Sequence, residues 1–302
     1  MQKTIKETIR GIIPPILTPM KEDGTVNEKE LKNQVERMLK AGVQGIFALG
    51  TNGEGYILTR EEKEQVLAAV IEQTAGRVPV YAGTGCISTR ETIELSQRAE
   101  QLGADVLSVI TPWFAKLSDE ELIAHYTAVA EAVALPVVLY NIPARTGNAL
   151  TPECVKKLSE VENISGIKDS SGNFDNMLQY IEAAGDKDFA VLSGNDSLIL
   201  WNLMAGGTGG VAGCANVFPE NMEGIYRNYI EGNLEAARKC QDNIREFRNC
   251  FRYGNPNTIV KKAAALSGEP VGECRKPFDK VSEEGIKAIA GVLENYRKRG
   301  IC

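Results

Sequence analysis

Eight short apolar runs, most followed by a longer amphipathic stretch, limit what this chain can fold into more than any other feature of its sequence. The runs are IIPPILT from Ile12, GIFALG from Gly45, VPVYAG from Val78, DVLSVI from Asp105, PVVLY from Pro136, ISGIK from Ile164, FAVLSG from Phe189 and GGVAG from Gly209. Most lack polar alternation, so they read as strands buried on both faces of a parallel sheet. The stretches between them carry helix signals. NEKELKNQVERMLKAG opens on Asn27 as an N-cap and stops at Gly42. TREEKEQVLAAVIEQTAG, STRETIELSQRAEQLG and SDEELIAHYTAVAEAV each open with Thr or Ser followed by acidic residues, which suits the unpaired N–H groups and positive end of a helix. Eight strand-and-helix units of roughly 20–35 residues predict an α/β fold, a (β/α)8 TIM barrel. An open doubly wound sheet would alternate in the same way, but its dinucleotide-binding form begins with GxGxxG, and the first unit has none.

The 302 residues accommodate such a barrel plus an appendage. After about Pro219 no strand pattern returns, and segments from Met222, Leu234, Thr258 and Glu283 read as helices. The expected division is a barrel over residues 1–222 carrying the active site and a C-terminal helical region over 223–302. That region either covers one side of the barrel or makes a subunit contact.

Charge and cysteines narrow the partners. With 34 basic and 40 acidic residues, net −6, the chain lacks the basic balance of a nucleic-acid binder. A local pocket can still be basic and take a small anion. Seven cysteines, Cys86, Cys154, Cys214, Cys240, Cys250, Cys274 and Cys302, are odd in number and form no CxxC, so reduced cytosolic thiols are the plainer reading. The start, MQKTIKETIRG, is charged and has no apolar core of a signal peptide. No run approaches the ~20 apolar residues of a spanning helix, and a terminal Cys302 is not a prenylation box. The expectation is a soluble, cytoplasmic protein without a membrane partner.

Metal and nucleotide chemistry find little support. The single histidine, His125, lies in a helix-like segment and reads as structural, with no metal ligand set around it. There is no Ser-His-Asp nucleophile elbow and no P-loop. The run AGGTGGVAG, from Ala205 to Gly213, follows a helix-like segment, so tight packing or a phosphate-accepting backbone fits it better than a cofactor cradle.

What remains are polar groups at strand ends, which in a (β/α)8 barrel face the active site at the C-terminal rim. Lys168 ends ISGIK, Tyr140 ends PVVLY, and Thr51 follows GIFALG. A lysine closing a buried strand either lies in the mouth or snorkels to solvent. Desolvated, its pKa falls, and a neutral amine attacks carbonyls to form a Schiff base. The Tyr140 phenol can relay protons, or simply fill the barrel end. Thr51 is equally a turn cap, and Arg145 is either a carboxylate clamp or a surface residue. Taken together, the four suggest imine chemistry on a keto acid.

Three motifs then carry a resemblance. GTNGE (Gly50 to Glu54), YNIPARTG (Tyr140 to Gly147) and GIKDSSGN (Gly166 to Asn173) resemble the dihydrodipicolinate synthase and N-acetylneuraminate lyase family, class I aldolases that use pyruvate. The likeness runs from IIPPILTPMKEDGTV to NPNTIVKKAAALSG. It implies Lys168 as the Schiff-base lysine, with no separate cofactor, Tyr140 as the proton relay, and Thr51 as the hydroxyl linking that relay. Gly50, Thr51 and Asn52 would hold pyruvate, and Arg145 would face the carboxylate of an aldehyde substrate. Sialic acid lyases usually lack that arginine, which favours the synthase of lysine biosynthesis. A homotetramer or homodimer is implied as well. Three positions depart from the pattern. Asn52 replaces the second Thr of GTTGE, and TPWF puts Trp113 and Phe114 where the family has two tyrosines. The second of these tyrosines completes the relay in a neighbouring subunit's site, and Phe114 has no hydroxyl to do so. Ile87 stands where lysine-inhibited members hold the inhibitor with Asn.

The resulting expectation is a lyase joining pyruvate to an aldehyde, first aspartate semialdehyde on the strength of Arg145. The alternative is a 2-keto-3-deoxy sugar acid or sialic acid-type aldolase releasing pyruvate, favoured by Phe114 and Asn52. A third reading, from another class, is a non-catalytic keto-acid-binding paralogue acting as a sensor. A phosphosugar isomerase would rest on the glycine run alone.

Overall fold

The computed structural model describes residues 4–301, so the expectation about Cys302 lies outside the described residues. All eight apolar runs form strands: β1 Gly11–Ile13, β2 Ile46–Ala48, β3 Val80–Gly83, β4 Val106–Ile110, β5 Val137–Asn141, β6 Ile164–Asp169, β7 Ala190–Ser193 and β8 Gly209–Val211. They pair in parallel in the order β1-β8-β7-β6-β5-β4-β3-β2. The remaining gap, between β1 and β2, is bridged at Pro15 and Phe47, giving a nearly closed (β/α)8 barrel. Nearly every strand residue is buried, because one face meets the barrel interior and the other meets the helices. This double burial is why the runs lack alternation.

Helix starts follow the predicted caps. Asn27, Thr59, Ser88 and Ser118 each accept a backbone N–H from the third residue of their helix, and Thr59 and Ser118 complete capping boxes with Glu62 and Glu121. Such caps satisfy donors the helix cannot, each worth about 1 kcal/mol. Two C-terminal helices begin where expected, Leu234–Asn243 and Glu283–Lys298, while two begin earlier, at Pro219 and Pro256. At the first helical position the fixed φ of proline favours the helix and its missing N–H costs nothing, so both helices start at the proline.

The helical region lies over the barrel mouth: Arg248, Phe251, Pro256, Asn257 and Val260 line the cavity at the ends of the strands. The glycine run packs tightly, as one of its two readings held. Gly209 pairs with Gly11 across β8 and β1, and a Cβ on Gly209 would come within 2.1 Å of the Gly11 carbonyl oxygen. The six described cysteines are free, and among the described residues no helix is long and apolar enough to cross a membrane.

His125 sits on the helix Asp119–Glu131 with its Nδ1 2.9 Å from Thr89 Oγ1. Its Nε2 is buried without a hydrogen-bond partner. Burial pushes its pKa down to about 4. The unfolded chain therefore takes up this proton first, so stability is full above about pH 6.5 and is lost as pH falls toward 4. At about 1.4 kcal/mol per unit, the loss is roughly 3 kcal/mol. Urea unfolding at pH 7 and pH 4.5 checks this: His125→Gln should erase that part of the acid sensitivity, and equal pH slopes in both proteins would refute it.

Candidate active site

The register of two neighbouring strands builds the centre of the site. Tyr140 on β5 is paired directly with Lys168 on β6, so both side chains leave the sheet on the same face. That face is the barrel interior, where Ile13, Phe47, Tyr81, Val106, Val138 and Leu192 pack together. Lys168 is only 4% exposed, so it does not snorkel. Its Nζ lies 3.6 Å from the centroid of the Tyr140 ring and 4.9 Å from that of Phe47. Room for the lysine depends on Gly194, just after β7, where a Cβ would stand 3.0 Å from Lys168 Cε and 2.0 Å from Ser170 Oγ.

Electrostatics follow from this packing. Burial, ahead of all else, drives the Lys168 amine below its ordinary value, against the opposing pull of Tyr140 and Asp196. A buried amine with a lowered pKa is a better nucleophile at neutral pH. Burial pushes the Tyr140 phenol up, but the neighbouring Lys168 charge and hydrogen bonding to Thr51, Lys168 and Ser170 outweigh it and hold the phenol below the usual range. Thr51 Oγ1 and Tyr140 Oη are 3.2 Å apart. The arrangement is an amine, a phenol and a hydroxyl in sequence, able to pass a proton to or from an oxygen leaving a carbon bound to the amine.

Two adjoining cavities meet here, and Thr51, Tyr140 and Arg145 line both. The smaller, about 200 Å³, holds Lys168 with Asn52, Ser170, Asn195 and Asp196. The larger, about 640 Å³, is lined by Gly50, Tyr56, Ile87, Trp113 and Phe278 among others. Thus Lys168, Tyr140, Thr51, Asn52 and Arg145 are brought together, whereas Gly50 lines the larger cavity and not the one at Lys168. Arg145 follows β5 on the short helix Pro143–Thr146. Its Nη2 donates to Asn255 Oδ1 at 2.8 Å and Asn257 Oδ1 at 3.1 Å. Ile87 is half exposed, and Phe114 is 97% exposed at φ 84° and lines neither cavity.

Sequence reasoning missed four contributors. Gly194 ends the seventh apolar run and Asp196 lies two residues beyond it, so the strand-end rule that found Lys168 would have found them. Asp196 accepts from the Cys214 N–H at 2.9 Å and from Arg248 Nη1 at 3.0 Å. Arg248 and Asn257 come from the helical region, where nothing in the sequence marks an approach to the barrel. No group of three or more His, Cys, Asp or Glu suited to a metal occurs among the described residues.

Known proteins share this architecture. A sequence model of the Dihydrodipicolinate synthetase family matches residues 8–296. The 4-hydroxy-tetrahydrodipicolinate synthase of Geobacter sp. (strain M21) is 38% identical over 288 residues, covering 95% of this chain and 99% of the relative. The dihydrodipicolinate synthase of Acinetobacter baumannii, solved complexed with pyruvate, superposes with a TM-score of 0.93 at 35% identity, covering 98% of this chain and 100% of that one. A prophage protein of the dihydrodipicolinic acid synthase family from E. coli K12, also in complex with pyruvate, gives a TM-score of 0.93 at 33% identity over 97% of this chain and 99% of its own.

Proposed function

The chain belongs to the dihydrodipicolinate synthetase family, and from that membership we propose that it is a class I lyase forming an imine between Lys168 and pyruvate. The observation that carries this reading is the buried Lys168 amine packed on Tyr140, whose hydroxyl meets Thr51 at 3.2 Å. The neutral amine attacks the keto carbon of pyruvate, and the carbonyl oxygen takes up a proton through Tyr140. Loss of water leaves the imine. Removal of a methyl proton gives an enamine, whose carbon adds to the aldehyde, and hydrolysis then frees Lys168. Thr51 keeps the phenol oriented as it alternates between donor and acceptor. Asn52 offers hydrogen bonds to the pyruvate carboxylate.

Arg145 supports aspartate semialdehyde as the second substrate and hence a synthase of lysine biosynthesis. Both of its bonds use Nη2, and the guanidinium borders both cavities, placed to take a carboxylate. Cleavage of a 2-keto-3-deoxy sugar acid is the second reading. It is favoured by the amides of Asn52, Asn195 and Asn257 around the smaller cavity, which suit hydroxyl groups. Pyruvate consumption with aspartate semialdehyde, set beside pyruvate release from 2-keto-3-deoxy sugar acids, separates the two. Arg145→Ala should lower kcat/KM for the semialdehyde roughly 10- to 100-fold, the loss of a charged hydrogen bond, with the KM for pyruvate little changed. Sugar-acid cleavage without semialdehyde turnover would reject the synthase and keep the imine.

The same reading makes the protein a cytoplasmic homotetramer or homodimer. Phe114 supports the assembly: its nearly fully exposed phenyl would gain favourable burial against a second copy.

A further inference from the structure

The GTNGE loop that carries Thr51 is held in an unfavourable backbone conformation. Leu49 and Glu54 bracket it at φ 62° and φ 57°, a left-handed region that side chains with a Cβ avoid. Its glycines are pressed against backbone: a Cβ on Gly55 would meet the Leu49 carbonyl oxygen at 2.1 Å, and one on Gly53 the Ile16 oxygen at 2.8 Å. Such a loop persists only where its surroundings over-determine it.

The determinant lies beneath it. Glu54 and Lys261 form an ion pair at 2.5 Å with side chains 0% and 1% exposed. Two further hydrogen bonds tie the pair to backbone. Lys261 Nζ also donates to the Thr18 carbonyl at 2.8 Å, and the other Glu54 oxygen accepts the Arg275 N–H at 2.8 Å. Thr18 in turn donates its hydroxyl to the Gly53 carbonyl at 2.6 Å. Lys261 belongs to the helix Pro256–Leu266, so the pair ties the helical region to the loop after β2. A buried ion pair adds little net stability over well-packed neutral groups. Its yield here is a fixed geometry.

We infer that Glu54 and Lys261 are positioning residues for catalysis, holding the strained loop so that the Thr51 hydroxyl meets Tyr140. The inference rests on the imine reading of the site. Neither side chain lines the cavity at Lys168, and neither touches substrate. They act through the loop that carries Thr51 and Asn52, so their loss leaves Lys168 able to form the imine but misaligns the group that orients the phenol.

The test is the double variant Glu54→Gln, Lys261→Met, which removes both charges while keeping similar volume. It should fold and melt close to the parent. Its kcat should fall at least about tenfold through misplacement of one acid–base partner, with the KM for pyruvate rising as well because Asn52 moves with the loop. Borohydride should still trap pyruvate on Lys168, more slowly, and the pH limb reporting the phenol should move upward as the Thr51 bond is lost. A folded double variant with parental kcat and pH profile would overturn the inference. Should the double variant fail to fold, Lys261→Arg takes its place, keeping the charge but displacing the loop, and parental kinetics there would overturn it equally. Failure of the parent enzyme to be trapped at Lys168 would instead overturn the imine reading.

Discussion

Borohydride added with pyruvate is expected to leave one reduced pyruvyl group on each chain, at Lys168, and Lys168→Ala is expected to lose that label and nearly all turnover. The loss should be of the order of 10⁴-fold or more, the scale on which removing a covalent nucleophile acts. Two properties set Lys168 apart. Its amine is buried against Tyr140 and Phe47 with its pKa driven down by that burial, whereas the other lysine buried among the described residues, Lys261, is committed to Glu54. Peptide mapping of the trapped adduct checks the assignment. Label on a different lysine, or none, would remove the imine mechanism and restore the sensor reading.

Tyr140→Phe is expected to keep the fold and the cavity while lowering kcat roughly 10²–10⁴-fold, the usual contribution of one positioned acid–base group. The ring remains beneath Lys168, so pyruvate binding should suffer little. What disappears is the oxygen that meets Thr51. Formation of the trapped adduct should slow in step with kcat, because proton delivery to the departing oxygen is needed before the imine exists. A Phe variant that trapped pyruvate at the parental rate would assign the relay to another group.

How much of this was readable in the chain depends on where each signal resides. The strands were legible because burial on both faces leaves unbroken apolar runs, and the strand-end rule then exposed Lys168, Tyr140 and Thr51 without any knowledge of neighbours. Tyr140 and Lys168 gained their meaning from register, which places them side by side, and register is not written in either run. Contacts that close over long separations were silent. Glu54 and Lys261 are 207 residues apart, and Asp196 and Arg248 are 52 apart. Each residue alone looks like an ordinary charge on a soluble protein, and only the fold reveals that neither Glu54 nor Lys261 can reach water. The placement of the helical region was open for the same reason: amphipathic helices declare which face they bury, but not against what.

The seam between β1 and β2 is the one place where the strand order does not close as a ladder. Pro14 and Pro15 have no N–H to offer, and the two strands are joined through three backbone bonds, Gln44 N to Ile12 O, Phe47 N to Pro14 O and Ile16 N to Phe47 O. A side chain supplements them, Gln44 Oε1 accepting from the Ile12 N–H at 2.8 Å. Across the barrel the longest ladder joins β5 and β6. Lys168 and Tyr140 therefore ride on the two strands with the longest shared ladder, while Thr51 follows β2, on the short joint to β1. The amine and the phenol are thus held in register as one body, whereas the relay hydroxyl is carried separately, on the loop after β2.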